Sequence, residues 1–261
     1  MTRLLVVDVG NTDIVLGSYR DDQMEASWRL ATALDRTFDE YGILASQLVQ
    51  QISDEPFEGA IVASVVPPLD GVIEGMIRRY FGVEPLFVRP GVRTGLSVRT
   101  ENPTEVGADR IVNAVAAHYI HGGPTIVVDF GTATTFDLIS EKGEYMGGVI
   151  APGITVASEA LFSRAARLPR VEIRRPEQLI GTNTVASLQS GIYYGSLELV
   201  DGILERMIDE IRDVKTVVAT GPAAAMIAED SELIETVDPH LTLRGLKIIW
   251  DRNQAKKDRS R

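Results

Sequence analysis

Two short segments of this chain place an aspartate, a glycine and hydroxyl side chains directly after an apolar run. Asp8-Val-Gly-Asn-Thr12 follows the apolar residues 4–7, and Asp129-Phe-Gly-Thr-Ala-Thr-Thr135 follows residues 125–128. Glycine allows backbone N–H groups to approach an anion closely, and threonine hydroxyls add donors, which together suit a polyphosphate. The segments therefore predict two turns that contact phosphate groups.

The carboxylates of Asp8 and Asp129 have the wrong charge to face phosphate unaided. At about 4 Å and an effective dielectric near 20, the repulsion between two like charges is roughly 4 kcal/mol. A cation is needed to compensate for it. Hard oxygen ligands beside phosphate favour Mg²⁺, which a monovalent ion could join.

A third candidate is the segment 102–110, which precedes a helical run at residues 111–119. We expect Thr104 to cap this helix, and Asp109 to lie near its positive end, where a carboxylate is favoured. Asp109 and Arg110 are adjacent, so on a helix they point about 100° apart and can contact different groups of one ligand. The alternative is a pair of solvated charges beside an N-terminal turn.

The composition leaves carboxylates as the plentiful reactive groups. The 261 residues include no cysteine and only three histidines, His118, His121 and His240. Thiol nucleophiles and cysteine-bound zinc are therefore excluded, and multi-histidine metal sites are poorly supplied. Neither Gly-x-x-x-x-Gly-Lys-Ser/Thr nor Gly-x-Gly-x-x-Gly occurs, so a P-loop is excluded and a dinucleotide fold has no support.

The net charge and the hydropathy pattern indicate whether the protein could bind nucleic acid or membrane. With 26 basic and 37 acidic residues the net charge is 26 − 37 = −11, which argues against nucleic-acid binding, since phosphate contacts need a basic stripe. The one basic cluster is the C-terminal tail, residues 252–261, which we interpret as a frayed, solvated end. No segment approaches the roughly 20 apolar residues of a membrane span, and the N-terminal apolar run is too short for a signal peptide. We therefore expect a cytoplasmic protein that binds neither nucleic acid nor membrane.

The elements that must position these residues occur twice in the same order. Each copy is predicted to contain a buried strand, two meander strands, a helix and a further strand, in that order. In the first copy these elements lie at 4–7, 14–19, 25–30, 38–52 and 60–66. In the second copy they lie at 125–128, 135–139, 145–150, 185–213 and 214–219. Residues 5–12 align with 126–133 at an offset of 129 − 8 = 121 residues, which is typical of duplicated domains. The sequence predicts an α/β fold of two halves, 1–118 and 119–261, with a ligand cleft between them.

Five ordered motifs resemble those of type III pantothenate kinases. They are the two aspartate turns, Gly107-Ala-Asp-Arg110, Gly147-Gly-Val-Ile-Ala-Pro-Gly153 and Gly181-Thr-Asn-Thr184, and the resemblance extends to about Gly221. That family belongs to the acetate and sugar kinase, Hsp70 and actin superfamily, so the resemblance implies two ribonuclease-H-like (actin-like ATPase) halves. It also implies ATP-dependent phosphorylation of pantothenate, the first step of coenzyme A synthesis.

The resemblance further implies roles for individual residues. Asp109 would accept the proton of the attacking hydroxyl, and Asp129 would bind the monovalent cation, K⁺ or NH₄⁺, that the family requires beside Mg²⁺. Arg110 would pair with the pantothenate carboxylate. The residues implied to contact pantothenate are Gly107, Ala108, Asp109, Arg110 and Thr184. Those implied to contact ATP are Asp8, Val9, Gly10, Asn11, Thr12, Asp13, Ile14, Val15 and Thr132. In the family Thr184 acts from the partner subunit, so a homodimer is implied.

Two positions depart from the family pattern. Thr100 stands where the family has a tyrosine that lines the pantothenate pocket, and Pro222 replaces the last glycine of the Thr-Gly-Gly adenosine motif. Proline fits the first turn of a helix, so we expect nucleotide binding to survive. Thr100 leaves open a kinase of the same superfamily with another small alcohol acceptor. A non-catalytic transcriptional accessory factor is a further alternative, which the intact aspartates and the acidic charge disfavour.

Overall fold

The computed structural model describes residues 3–165 and 167–257. They form two compact units, one from segments 3–97, 101–116 and 241–257, the other from 98–100, 117–165 and 167–240. The chain passes from the first unit to the second after residue 97, returns at residue 101, and passes to the second unit again after residue 116. The structure differs from the predicted division at the C-terminal segment, which packs with the first unit. Part of the basic C-terminal cluster, residues 258–261, lies outside the described residues.

The first unit is built on a five-stranded sheet in the order β3-β2-β1-β4-β5. Its strands are β1 (Arg3–Val9), β2 (Asp13–Arg20), β3 (Gln23–Ala31), β4 (Gly59–Ser64) and β5 (Pro85–Phe87). β1 is antiparallel to β2 and parallel to β4. The apolar residues of β1 are buried on both faces, which explains why its sequence is a continuous apolar run and not an alternating one.

Helices cover both faces of this sheet. α1 (Phe38–Gln50) and α2 (Pro67–Met76) pack on one face against Leu5, Val7 and Val9. The start of α3 (Ala108–His121) and α7 (Leu241–Lys257) pack on the other face against Leu4 and Val6. α7 was not predicted; it includes the first part of the basic cluster that the sequence suggested was a frayed end.

The second unit repeats this arrangement. Its sheet has the order β11-β10-β7-β8-β9-β6, and the five strands β9-β8-β7-β10-β11 correspond to β3-β2-β1-β4-β5. The bounds are β6 (Ser97–Val98), β7 (Thr125–Phe130), β8 (Ala133–Ile139), β9 (Glu144–Pro152), β10 (Thr216–Thr220) and β11 (Thr236–Val237). β7 is antiparallel to β8 and parallel to β10. The predicted α/β fold with two duplicated ribonuclease-H-like halves is confirmed.

Three helices complete the second unit: α4 (Ile154–Arg164), α5 (Thr184–Ile211) and α6 (Ala224–Ala228). α5 is the long amphipathic helix expected from the sequence, and Tyr193, Val200 and Leu204 on its buried side join the core. Over the described part of the chain, none of the helices has the length and apolar character needed to cross a membrane.

Candidate functional site

The β1–β2 turn is the first predicted phosphate-contacting segment, and hydrogen bonds fix its shape. The Gly10 N–H donates to the Asp13 carbonyl at 2.9 Å. Thr32, which follows β3, donates its N–H to the Thr12 carbonyl at 2.9 Å and its hydroxyl to the Gly10 carbonyl at 2.7 Å. Two carbonyls of the turn are therefore bonded within the protein, which reduces the number of acceptors that would oppose an anion. Thr32 lies outside every motif, so no pattern in the sequence points to it.

Asp8, Asp13 and Arg29 share one face of the first sheet. The strand register places Asp8 opposite Val15, and Val15 opposite Arg29, and directly opposite residues lie on the same face. Asp13 is two residues before Val15, so it lies on that face too. Arg29 Nη1 is 2.8 Å from Asp13 Oδ2. This partly exposed ion pair is worth about 0–1 kcal/mol, and it compensates for one carboxylate beside the turn.

The Gly107–Arg110 segment begins α3. The helix starts at Ala108, so Asp109 lies in its first turn, as predicted, and its Oδ1 accepts the Arg110 N–H at 2.8 Å. A Cβ atom on Gly107 would lie 2.5 Å from Asp109 Oδ1 and 3.5 Å from Val65 Cγ1. A side chain at position 107 would therefore displace the Asp109 carboxylate.

Asp109 and the β1–β2 turn lie at the same edge of the first sheet. Val65, beside Gly107, follows β4, and its N–H donates to the Val9 carbonyl at the end of β1 at 3.0 Å. Because β1 and β4 are parallel, the carboxyl ends of both strands meet at this edge. The first unit thus brings Asp8 and the start of α3 to one edge.

Thr104 does not cap α3, so that expectation was wrong. It lies in a separate 3₁₀ turn, Pro103–Glu105, and its hydroxyl donates to Asn102 Oδ1 at 2.8 Å. The chain completes this short turn before α3 begins, which moves Thr104 away from the helix N-terminus.

Contacts with α7 fix the position of α3 within the first unit. The buried Asn113 side chain accepts a hydrogen bond from the Thr242 hydroxyl at 2.7 Å. The two helices approach closely at Gly245, where an added Cβ would lie 2.7 Å from Val112 Cγ1 and 2.9 Å from the Val112 carbonyl carbon. Thr242 is 242 − 113 = 129 residues after Asn113. The orientation of Asp109 therefore depends on a helix from a distant part of the sequence.

The β7–β8 turn in the second unit resembles the first turn but is one residue shorter. Gly131 donates its N–H to the Ala133 carbonyl at 3.0 Å. Val9 pairs with Ile14 across the first turn, and Phe130 pairs with Thr134 across the second. The repeat offset is therefore 130 − 9 = 121 before the turn and 134 − 14 = 120 after it. The ungapped alignment of residues 5–12 with 126–133 could not reveal this deletion.

Asp129 is half-buried at the end of β7, where the backbone of Gly221 approaches its carboxylate closely. A Cβ on Gly221 would lie 2.8 Å from Asp129 Oδ1 and 2.7 Å from the Phe130 carbonyl oxygen, and Gly221 has a φ of +92°. Carboxylate and carbonyl oxygens are the ligand types that hard cations prefer. Within residues 3–165 and 167–257 no cluster of three or more acidic or histidine side chains could hold a metal. A cation at Asp129 would therefore need backbone, water or phosphate oxygens as well.

The Gly147–Gly153 motif ends against the second turn. The Gly153 N–H donates to the Thr132 carbonyl at 3.1 Å, and a Cβ on Gly153 would lie 2.9 Å from the Thr132 carbonyl carbon. Thr132 itself is exposed. The glycine at position 153 thus allows the start of α4 to lie directly on the turn that carries Thr132.

Thr184 is the first residue of α5 and is exposed. The helix cap is the preceding residue, Asn183, whose Oδ1 accepts the Ala186 N–H at 2.9 Å. The Thr184 hydroxyl is therefore not needed as the cap.

The two departures from the family pattern both lie in the second unit. Thr100 is half-buried, with its Cγ2 3.8 Å from the position of a Cβ on Gly147, and its buried hydroxyl has no hydrogen-bond partner among the described residues. Pro222 is exposed and precedes α6, where the Ala224 N–H donates to the Gly221 carbonyl at 3.2 Å. Pro222 has no N–H to donate, but this hydrogen bond uses the N–H of Ala224 and is therefore retained.

The repeated sheet order and the paired aspartate turns define the actin-like ATPase fold. Solved structures share the fold. The activator of 2-hydroxyisocaproyl-CoA dehydratase from Clostridium difficile, with bound ADPNP, matches with a TM-score of 0.58 and 11% identity over 99% of this chain and 97% of its own. Component A of (R)-2-hydroxyglutaryl-CoA dehydratase from Acidaminococcus fermentans matches with a TM-score of 0.53 and 12% identity over 95% and 96%.

The chain belongs to the type III pantothenate kinase family, whose family model matches residues 4–206. The type III pantothenate kinase of Koribacter versatilis is 53% identical over 97% of this chain and 96% of its own length. That of Moorella thermoacetica is 54% identical over 96% and 99%. The sequence resemblance is confirmed, and the protein is a kinase.

Proposed function

We propose that this chain transfers the γ-phosphoryl group of ATP to the 4'-hydroxyl of pantothenate, the first step of coenzyme A biosynthesis. The observation that carries the proposal is the identity of 53% and 54% to two type III pantothenate kinases over at least 96% of the chain. The placement of the motifs at strand ends and helix starts supports the roles assigned below.

ATP phosphates bind at the two aspartate turns, through the residues from Asp8 to Val15 and through Thr132. Backbone N–H groups and hydroxyls donate to the phosphate oxygens. The hydrogen bonds from Thr32 support this role, because they hold the first turn in shape before ATP arrives.

Cations accompany the nucleotide. Mg²⁺ bound with ATP supplies charge neutralisation, because each uncompensated like-charge pair at about 4 Å costs roughly 4 kcal/mol at an effective dielectric of 20. Asp129 holds the monovalent ion, K⁺ or NH₄⁺. The support is the oxygen donor type and the close approach of Gly221, where a side chain would displace the Asp129 carboxylate or the Phe130 carbonyl.

Asp109 orients the attacking hydroxyl and accepts its proton. The positive end of the α3 dipole favours a carboxylate there. A loose phosphoryl-transfer transition state needs mainly orientation of the nucleophile and late proton removal, so an ordinary aspartate is sufficient. Arg110 follows Asp109 at about 100° around the helix axis, and its guanidinium pairs with the pantothenate carboxylate. Gly107 and Ala108 bring the α3 backbone close to the substrate.

The active protein is a homodimer in which Thr184 contacts pantothenate bound to the partner subunit. The support is the distribution of exposed apolar side chains. Of the 15 exposed large apolar side chains in the described residues, nine lie between positions 146 and 199, all in the second unit. Apolar surface of this extent is typical of an interaction face.

The test is an ATP-consumption assay on the wild type and Asp109→Asn, with and without pantothenate and with K⁺ or Na⁺. We expect pantothenate-dependent, K⁺-dependent turnover in the wild type. In the variant kcat falls about 10²- to 10⁴-fold, while KM for ATP changes little. Absence of pantothenate-dependent turnover in the wild type would overturn the activity, and unchanged kcat in the variant would overturn the role of Asp109. A panel of other small alcohols tests whether Thr100 has changed the acceptor.

A further inference from the structure

A pocket with two arginines in its lining is present in the first unit. Residues 92–97 between β5 and β6, together with Arg252 of α7, line an open cavity of about 530 Å³. This volume is within the range of small-molecule pockets. Two guanidinium side chains, those of Arg93 and Arg252, belong to its lining.

The loop that forms the cavity is held in place by α7. The Asn253 side-chain amide donates to the Arg93 carbonyl at 3.1 Å, and its Oδ1 accepts the Arg93 N–H at 3.3 Å. Gly95 has a φ of +77°, and a Cβ there would lie 2.5 Å from Arg252 Cζ. Only glycine permits both this backbone conformation and the position of the Arg252 side chain. The cavity is therefore a formed pocket and not a gap beneath a loose loop.

No acidic side chain of the described residues pairs with either arginine of the pocket. Neither Arg93 nor Arg252 forms an ion pair with any other residue that the structure describes. Nine other arginines do form such pairs: Arg3, Arg20, Arg29, Arg78, Arg79, Arg89, Arg99, Arg170 and Arg175. Further arginines, Arg174 among them, form none with the described residues, but Arg93 and Arg252 differ from these because they line the same cavity. In a chain with a net charge of −11, two arginines without acidic partners in one pocket indicate an anionic ligand. Arg252 is also the first residue of the basic C-terminal cluster.

The pocket lies toward the opposite edge of the sheet from the β1–β2 turn. A Cβ on Gly59 would overlap the ring of Trp250, which is two residues before Arg252. Gly59 pairs with Leu4 near the start of β1, whereas Asp8 is four residues further along that strand. At about 3.3 Å per residue this separation is roughly 13 Å. The pocket is therefore not part of the phosphate turn.

We propose that the Arg93–Arg252 pocket binds the phosphate group of a small molecule. Guanidinium groups bind phosphate through paired N–H donors, and two such groups match the charge of about −1.5 to −2 on a phosphate monoester at neutral pH. A concave pocket suits a small molecule better than a duplex, whose contacts need an extended basic stripe. The inference does not depend on the identity of the kinase acceptor.

The test is calorimetric titration of the full-length protein with pyrophosphate, in the presence of a saturating non-hydrolysable ATP analogue that occupies the nucleotide site. We expect one further site with a dissociation constant below about 1 mM. Arg93→Gln and Arg252→Gln should each weaken this binding about ten-fold or more, while kinase turnover stays unchanged and shows that both variants are folded. Arg174→Gln, which removes an exposed arginine of the second unit, should bind pyrophosphate like the wild type.

Three results would overturn the proposal. The first is no pyrophosphate binding once the ATP analogue is present. The second is equal affinity in the wild type and in both pocket variants. The third is retention of a DNA duplex at 0.15 M salt by the wild type but not by Arg252→Gln, which would assign the pocket to nucleic acid.

Discussion

The close approach of α7 to α3 makes Gly245→Ala a direct test of how Asp109 is positioned. The new methyl carbon would lie 2.7 Å from Val112 Cγ1 and 2.9 Å from the Val112 carbonyl carbon. Carbon atoms in good contact are about 3.5–4.0 Å apart, so the helices must separate by about 1 Å. Asp109 is three residues before Val112 on the same helix and should move with it.

The expected effects on stability and activity can be separated. Overpacking of this kind costs about 1–3 kcal/mol, partly offset by a gain of up to about 1 kcal/mol when alanine replaces glycine in a helix. A displacement of about 1 Å at a reacting group can reduce the rate about 10²-fold. We therefore expect Gly245→Ala to lower the free energy of unfolding by about 0–2 kcal/mol and kcat by about ten- to a hundred-fold.

Gly71→Ala is the matched control. Gly71 lies within α2 of the same unit, and an added Cβ there would contact nothing within 4 Å. The control should gain up to about 1 kcal/mol of stability and keep the wild-type kcat. Urea unfolding and steady-state kinetics of both variants provide the measurements. A destabilised Gly245→Ala protein with wild-type kcat would refute the reasoning, because it would mean that α7 moves and α3 does not.

Three further predictions concern single side chains. Burial raises the pKa of Glu25, but hydrogen bonds from Ser18, Arg3 and Arg20 outweigh it and lower the pKa from 4.5 to about 2. The Glu25 carboxylate therefore stabilises the fold above pH 4.5, by about 3 kcal/mol at pH 7, and this stabilisation is lost as the pH falls toward 2. In urea unfolding, the gap between wild type and Glu25→Gln should shrink by about 2 kcal/mol from pH 6 to pH 3; a constant gap would contradict the assignment. Thr32→Val removes the hydroxyl bond to Gly10 and should raise KM for ATP about two- to ten-fold, whereas an unchanged KM would mean that the turn holds its shape without it. Arg110→Gln should raise KM for pantothenate at least ten-fold but leave turnover of the corresponding alcohol, which lacks the carboxylate, nearly unchanged; equal losses for both acceptors would argue against the proposed ion pair.

The sequence predicted the elements whose local pattern is strong. The buried strand β1 is a continuous apolar run, α5 repeats apolar residues at helical spacing, and the two aspartate turns follow strands with the same composition. These signals were sufficient for the duplicated fold, because each is contained within about 30 residues.

Elements that are stabilised by contacts between residues distant in sequence could not be predicted from a local pattern. α7 contains Gly245, a poor helix former, and its stability comes from packing Leu243 and Leu246 on the first sheet. Thr32 has no neighbouring motif, and the meander alone brings it to the β1–β2 turn. β6 and β11 have only two residues each, which is too short for a periodic pattern.

The return of the chain to its first unit sets the order in which the protein can fold during synthesis. The strands of the first sheet emerge from the ribosome early, but α7, which covers Leu4 and Val6, is made only after the whole second unit. One apolar face of the nascent sheet therefore lacks its α7 cover while more than a hundred further residues are synthesised. At about 5–20 residues per second this takes several seconds or longer. During that interval the exposed face is open to aggregation, and a chaperone that shields it would act on the growing chain before residue 241 is added.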